Sequence, residues 1–223
     1  MLSNYEEERT AVGGIIRLQA ETVLKAHHSL LEGIQGYDAR KLETAQKTLE
    51  NINAMAIEID NKVIRLLARF APEARELRLL VVYLKVVNNI VRASDNIKSM
   101  SRRMIRIVEN GTDISALKPK LEKMHRCVIY AFELATRHID GDFDRINYRE
   151  IHDLVVQEEA CSDSELQVIE SQIMQVGGCD DSVRIGMIDA LHLVRKMERT
   201  ADRAVDIARL MCYAQEGGMI ESV

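Results

Sequence analysis

Almost nothing in this chain forbids a helix. Apolar residues recur at steps of three and four along nearly its whole length, and the alternation that marks strands is absent. Two prolines in 223 residues leave few enforced breaks. Interruptions fall at Gly33-Ile34-Gln35-Gly36, Ala71-Pro72, Asn110-Gly111-Thr112-Asp113, Gly141 and Gly177-Gly178-Cys179-Asp180. They predict six helices, over about 4–35, 38–70, 72–109, 115–140, 142–175 and 181–214. Pro72 suits the first turn of the third helix, where its missing N–H is no loss. Asp180 and Asp181 suit the N-terminal end of the sixth.

The pattern occurs twice. The second and fifth helices both open with Asp after glycine, at Gly36-Tyr37-Asp38 and Gly141-Asp142, and each leads into a long helix. Leu84-Lys85-Val86-Val87 through Arg92-Ala93-Ser94-Asp95 overlays Leu191-His192-Leu193-Val194 through Arg199-Thr200-Ala201-Asp202, with Asp95 against Asp202 at a constant offset of 107. The expected fold is all-α. It has two tandem three-helix bundles, residues 1–111 and 112–223, built from six long antiparallel helices related by a pseudo-twofold repeat.

Composition narrows the function. A hydrophobic share of 47% with 29% charged residues is that of a folded globular chain, not a disordered one. A net charge of -5 gives no electrostatic case for nucleic acid. Cys127, Cys161, Cys179 and Cys212 make no C-x-x-C, and are expected to be reduced thiols of a cytoplasmic protein. The acidic, polar start MLSNYEEERT does not resemble a signal peptide. The most apolar run, Leu79 to Val91, is short and broken by Lys85, Asn88 and Asn89. No direct membrane insertion is expected, so any membrane association goes through a partner.

The halves differ in their acids. Glu198, Asp202 and Asp206 form a row at helical spacing, and Glu198 falls on the stripe Met187, Leu191, Val194, Ala201, Val205, Ala208. A buried carboxylate is costly unless paired or bound to a metal. In the first half Val91 stands at the place of Glu198 and Ser99 at that of Asp206. The fifth helix is interrupted too: its stripe reads Ile151, Val155, Glu158, Ser162, then Leu166 or Ile169. Across the turn near Gly178, Glu159 and Glu198 are level, with Asp163 and Asp202 one turn away on either side. Facing carboxylates of this kind suit hard or borderline cations. A solvated face with local pairs such as Glu198–Arg203 and Asp206–Arg209 is the alternative. Arg92 and Arg199, at matching places, are expected to pair on the surface. Glu122 and His125 have the E-x-x-H spacing of di-iron bundles, but only one copy occurs. His27-His28, His138, His152 and His192 show no ligand spacing. No nucleophile or general base stands beside the acids, so an enzyme is not expected; a metal-dependent hydrolase or oxidase is the distant alternative.

Met197-Glu198-Arg199-Thr200-Ala201-Asp202-Arg203-Ala204-Val205-Asp206-Ile207-Ala208 resembles the "LERIGDHAxNIA" helix of the PhoU family, with Asp206 in place of the family's asparagine. In the first half Ile59-Asp60, followed by Leu66 through Arg78, is similar to the family's "ID…LLALRQPVAxDLR". The resemblance covers nearly the whole length as two repeats. It implies a cytoplasmic negative regulator of phosphate uptake and phosphate-responsive signalling. Such proteins dock on the ATPase subunit of the phosphate ABC transporter and on a sensor histidine kinase at the inner membrane face, and homodimers are common. An accessory protein of a low-affinity phosphate permease would share the fold. The family's E/D-x-x-x-D motifs bind iron, zinc and other cations. The resemblance carries that role to Glu198 and Asp202, to Glu159 and Asp163, and to Asp206 as a substituted position. In the first half, where Val91 replaces the family's glutamate, it leaves Asp60 and Asp95.

Overall fold

The computed structural model describes residues 2–141, 143, 145–175 and 180–218. These hold seven helices and no strand: α1 (Leu2–Gly36), α2 (Ala39–Thr48), α3 (Ile52–Phe70), α4 (Ala74–Glu109), α5 (Lys118–Thr136), α6 (Tyr148–Met174) and α7 (Asp181–Glu216). The fold is all-α. α1 packs on α2, α3 and α4, and α6 packs on α5 and α7. The two sets of helices meet where α4 lies along α7 and α1 touches α5. The repeat is exact in the long helices, since α4 and α7 both have 36 residues and start and end 107 positions apart.

Helix boundaries follow local chemistry. Gly33 lets α2 fold back against α1, because a Cβ there would run into the Leu42 side chain and lie 3.2 Å from its backbone N. Asp38 then caps α2, its Oδ1 accepting from the Arg40 N–H at 2.9 Å. The predicted second helix is two helices, α2 and α3, broken around Leu49 and Asn51. Thr44 and Thr48 bond back to the Arg40 and Thr44 carbonyls at 2.7 and 2.9 Å, which weakens a helix from within. The break leaves both Leu49 and Ile52 fully buried. Pro72 lies before the third long helix, not in its first turn, since α4 starts at Ala74. α6 starts at Tyr148, later than the predicted opening at Gly141-Asp142, and Asn147 caps it by accepting from the Glu150 N–H at 3.2 Å. Asp142 and Gly177-Gly178-Cys179 lie outside the described residues. Asp180 caps α7 as expected, accepting from the Asp181 N–H at 2.6 Å.

The seam between α4 and α7 is apolar with polar pins. Asp189 of α7, only 4% exposed, accepts from Arg103 Nη1 and Arg106 Nε of α4, each at 2.9 Å. Burial alone would raise its pKa; the two guanidiniums outweigh that and hold the carboxyl below its usual range. Farther along, Lys196 donates to Asn96 Oδ1 at 3.2 Å and Arg203 to Asn89 Oδ1 at 3.3 Å. No helix among the described residues is long and apolar enough to cross a membrane.

A second pin was invisible in the sequence. His27 of α1 and His125 of α5, both fully buried, share one hydrogen bond between Nδ1 and Nε2 at 2.9 Å. The outer nitrogens, His27 Nε2 and His125 Nδ1, lack partners, so neither ring gains a proton cheaply. Burial pushes the His27 pKa well below the ordinary value, and pushes that of His125 down to about 3, with His28 adding to both and Arg126 to the latter. Glu122, the partner of His125 in the E-x-x-H spacing, instead accepts from Gln35 Nε2 at 3.1 Å. Both rings stay neutral in the fold, whereas in the unfolded chain they gain protons below about pH 6.5. The unfolded state then binds more protons, so the fold loses stability as pH falls below that value. Each ring is expected to cost about 2 kcal/mol by pH 5. Denaturant titrations at pH 7.5 and pH 5 should show this loss in the parent and a smaller one in His27→Leu, His125→Leu. An equal loss in both would contradict the assignment.

Candidate functional site

The polar breaks of the second half sit on the α6–α7 pair. Tyr148, Val155, Ser162 and Ile169 of α6 are buried at seven-residue steps, which marks the face it turns to the core, and Glu165 is buried beside them, accepting from Lys123 of α5 at 2.6 Å. Those of α7 run through Ala190, Leu193, Val194, Met197, Ala201, Ala204, Ile207 and Ala208. Glu198 and Asp202 therefore flank the core stripe and are half-buried, rather than standing within it. Glu159 and Asp163 of α6 are half-buried as well.

The four carboxyls are close enough to perturb one another. Glu159 is raised by burial first, then by Asp163, Asp202 and Glu198, and it hydrogen-bonds Asp163. Glu198 is raised by burial and then by Asp202 and Asp163, against the opposing charges of Arg199 and Arg195. Asp202 is raised by burial, with Asp163 and Asp206 adding to it and Arg203 and Arg199 opposing. Counting across the turn sets Glu159 level with Glu198, but Glu159 feels Asp202 more strongly than Glu198, and Arg195 pairs with Glu170 along the same two helices, so the register is about one turn off that count; the four carboxyls still interact as one group. Asp206 stands at its edge, accepting from Arg209 Nη2 at 2.7 Å and pairing with Arg203 Nη1 at 3.0 Å. Of the local pairs read from sequence, Asp206–Arg209 forms, while Arg203 turns to Asp206 rather than Glu198. Arg199 and Arg92 are exposed.

The corresponding place in the first half is apolar. Asn53, Ile57, Asp60 and Ile64 of α3 with Leu84, Val87, Asn88 and Val91 of α4 line an open groove of about 610 Å³. Ile57 and Ile64 are 62% and 57% exposed. Asp60 lies in this groove, but Asp95 does not line it. Asp95 is exposed, 3.6 Å from Lys98 of its own helix.

Sequence reasoning missed one cluster. Cys127 of α5 and Cys161 of α6, expected as separate thiols, are joined as a disulfide across a sequence separation of 34. With Glu158 they are the one trio of metal-ligating groups among the described residues whose ligand atoms all lie within 4.8 Å of one another. The acidic face is more widely spread.

The raised pKa values of Glu159, Glu198 and Asp202 have a definite sign. In the unfolded chain these groups ionise in the ordinary range; in the fold they hold protons to higher pH. Their mutual repulsion is therefore relieved in acid, and grows as pH rises through the ordinary and raised values. Asp202→Asn should raise the neutral-pH Tm of metal-free protein by about 2–4 °C, the effect of about 1 kcal/mol of solvent-screened repulsion in a chain of this size. Thermal scans in chelator-treated buffer test this; a lowered Tm would mean that Asp202 stabilises the fold through a partner.

Residues 16–104 match the family model described as the PhoU domain. The phosphate-specific transport system accessory protein PhoU homolog of Pseudomonas aeruginosa is 23% identical over 222 residues, covering 97% of this chain and 84% of that protein. The phosphate-specific transport system accessory protein PhoU of Escherichia coli is also 23% identical, over 97% of this chain and 84% of its own length. Among solved structures, the phosphate transport system regulatory protein PhoU from Streptococcus pneumoniae superposes with a TM-score of 0.83 at 16% identity, covering 98% of this chain and all of that one. PhoU from Pseudomonas aeruginosa gives 0.65 at 23% identity, covering 97% and 98%. Residues 16–104 thus match the PhoU domain, and the chain is similar to PhoU proteins over nearly its whole length.

Proposed function

We propose that this protein is a regulatory accessory protein of phosphate transport, acting by recognition rather than catalysis. The carrying observation is the full-length kinship to phosphate-specific transport system accessory proteins on a fold of the same shape. In this reading it is cytoplasmic and reaches the inner membrane face only through partners. The partners are the ATPase subunit of a phosphate ABC transporter, a sensor histidine kinase, or both, and the working form is a homodimer. Its role is to restrain phosphate uptake and the phosphate response.

The face between α6 and α7 is the proposed cation site. Its donors fit: carboxylates alone suit iron, zinc or similar divalent and trivalent ions, and the raised pKa values of Glu159, Glu198 and Asp202 mark an excess of negative charge. Glu159, Asp163, Glu198 and Asp202 would hold the metal, with Asp206 at the margin. The ion would supply positive charge to a repelling face. The chain's own residues do the rest: α6 and α7 bring the four carboxyls within reach of one another's charge, and Arg203 and Arg209 hold Asp206. In the first half Val91 leaves Asp60 without an acidic neighbour in its groove, and Asp60 and Asp95 would form at most a weaker site.

Metal analysis of protein purified without chelator should find bound metal in the parent, and in Glu198→Ala, Asp202→Ala a loss of at least half of it. An unchanged stoichiometry would exclude this face as the site. The same variant pair tests recognition. Affinity capture from phosphate-replete cells should recover a transporter ATPase or a histidine kinase with the parent, and less of either with the variant. Recovery of neither with the parent would contradict the proposed role.

A further inference from the structure

The disulfide stands on the side of α6 turned to α5, apart from the carboxylates that meet α7. Cys127 is 8% exposed, while Glu158 and Cys161 are half-buried, so the cluster is sheltered yet reachable from solvent. Glu158 lies three positions before Cys161 on the same helix, which puts both on one face. The Cα atoms of the two cysteines are 6.3 Å apart. Rotation about their side-chain bonds alone can part the sulfurs to the spacing that tetrahedral ligation needs, with zinc–sulfur distances of about 2.3 Å.

We infer that Cys127, Cys161 and Glu158 form a redox-gated site for a soft or borderline divalent cation of the zinc class. The donor set is two thiolates and one carboxylate, leaving a fourth position for water. Thiolates select softer ions than the all-carboxylate face does, so the two places differ in preference. The disulfide consumes both sulfur ligands, and cation and disulfide therefore exclude one another. Opening requires a reductant of the thiol class. Two small-molecule thiols reduce the protein disulfide, giving one small-molecule disulfide and two protein thiols. The cation then displaces both thiol protons to solvent and binds the two thiolates and the Glu158 carboxylate, leaving the site with one net negative charge. Reducing compartments keep most cysteine pairs open, and a pair poised there is commonly a sensing one. Because Cys161 lies between Glu159 and Asp163 in sequence, either state ties α6 to α5 at the height of the acidic face. The inference stands independently of the phosphate reading, since its residues and donor chemistry are separate.

The test uses the full chain and Co²⁺ as a spectroscopic probe. Protein reduced with a phosphine and desalted without oxygen should bind Co²⁺ with an intense near-ultraviolet thiolate-to-cobalt charge-transfer band, bleached by Zn²⁺. The disulfide form should show no such band. Cys127→Ser and Cys161→Ser should each abolish it, with folding checked by circular dichroism. Glu158→Gln should keep both sulfurs and the band while weakening Co²⁺ binding tenfold or more. Glu198→Ala, Asp202→Ala should leave the band unchanged, which separates this site from the acidic face. A reduced parent with no charge-transfer band, or a band that survives Cys127→Ser, would overturn the inference. As a measurement that needs no variant, Zn²⁺ should slow alkylation of Cys127 and Cys161, read by peptide mass mapping; equal rates with and without Zn²⁺ would also overturn it.

Discussion

The packing of α4 along α7 is the constraint on which the molecule rests. These are the two copies of the longest repeated element, and laying one against the other joins the two sets of helices around one core. The seam is close-packed and apolar, so it gains from area removed from water, and its polar pins set register more than they add stability. Asp189 is the extreme case. It is buried at the seam and balanced by two guanidiniums from the opposite helix, so a slip of one turn would strand a charge in the core. Near it, Gly186 of α7 lets Thr112, in the loop after α4, press against the helix backbone, where any Cβ would collide.

Once that seam is fixed, each long helix has an outer flank for its own third partner, and here the copies diverge. The flank of α7 meets α6 with carboxylates on both sides. The flank of α4 meets α3 with Val91, Leu84 and exposed isoleucines around an open groove. The same backbone thus carries one face that repels itself and one that gains by being covered. Neither difference is demanded by packing, because the repeat accepts valine and glutamate at the same position. The asymmetry is a difference of surface chemistry on a duplicated scaffold.

The parts legible in the sequence were those encoded by periodicity and by local breakers. The long helices and the offset between Asp95 and Asp202 follow from counting along helices, whereas the level of Glu159 with Glu198 came out about one turn off. What could not be counted came from contacts whose register the spacing along one helix does not set. His27 and His125 meet across α1 and α5, and no spacing announces a pair 98 residues apart. Cys127 and Cys161 sit on adjacent helices, but the irregular segment between α5 and α6 shifts the register that would have aligned them. The break at Leu49 was hidden because the apolar stripe continues through it. Glu198 looked misplaced because stepping by three and four cannot tell the centre of a buried stripe from its edge; Met197 and Ala201 take the centre, and Glu198 takes the edge.

The central claim is that the duplicated scaffold keeps a cation-attracting face in one half only. Anomalous diffraction from crystals soaked in Mn²⁺ or Fe²⁺, recorded at the metal edge, tests it directly. The account predicts difference peaks between α6 and α7, bordered by Glu159, Asp163, Glu198 and Asp202, and none in the groove between Asn53 and Val91. A map with no peak at the α6–α7 face, or with an equal peak in the first-half groove, would contradict it.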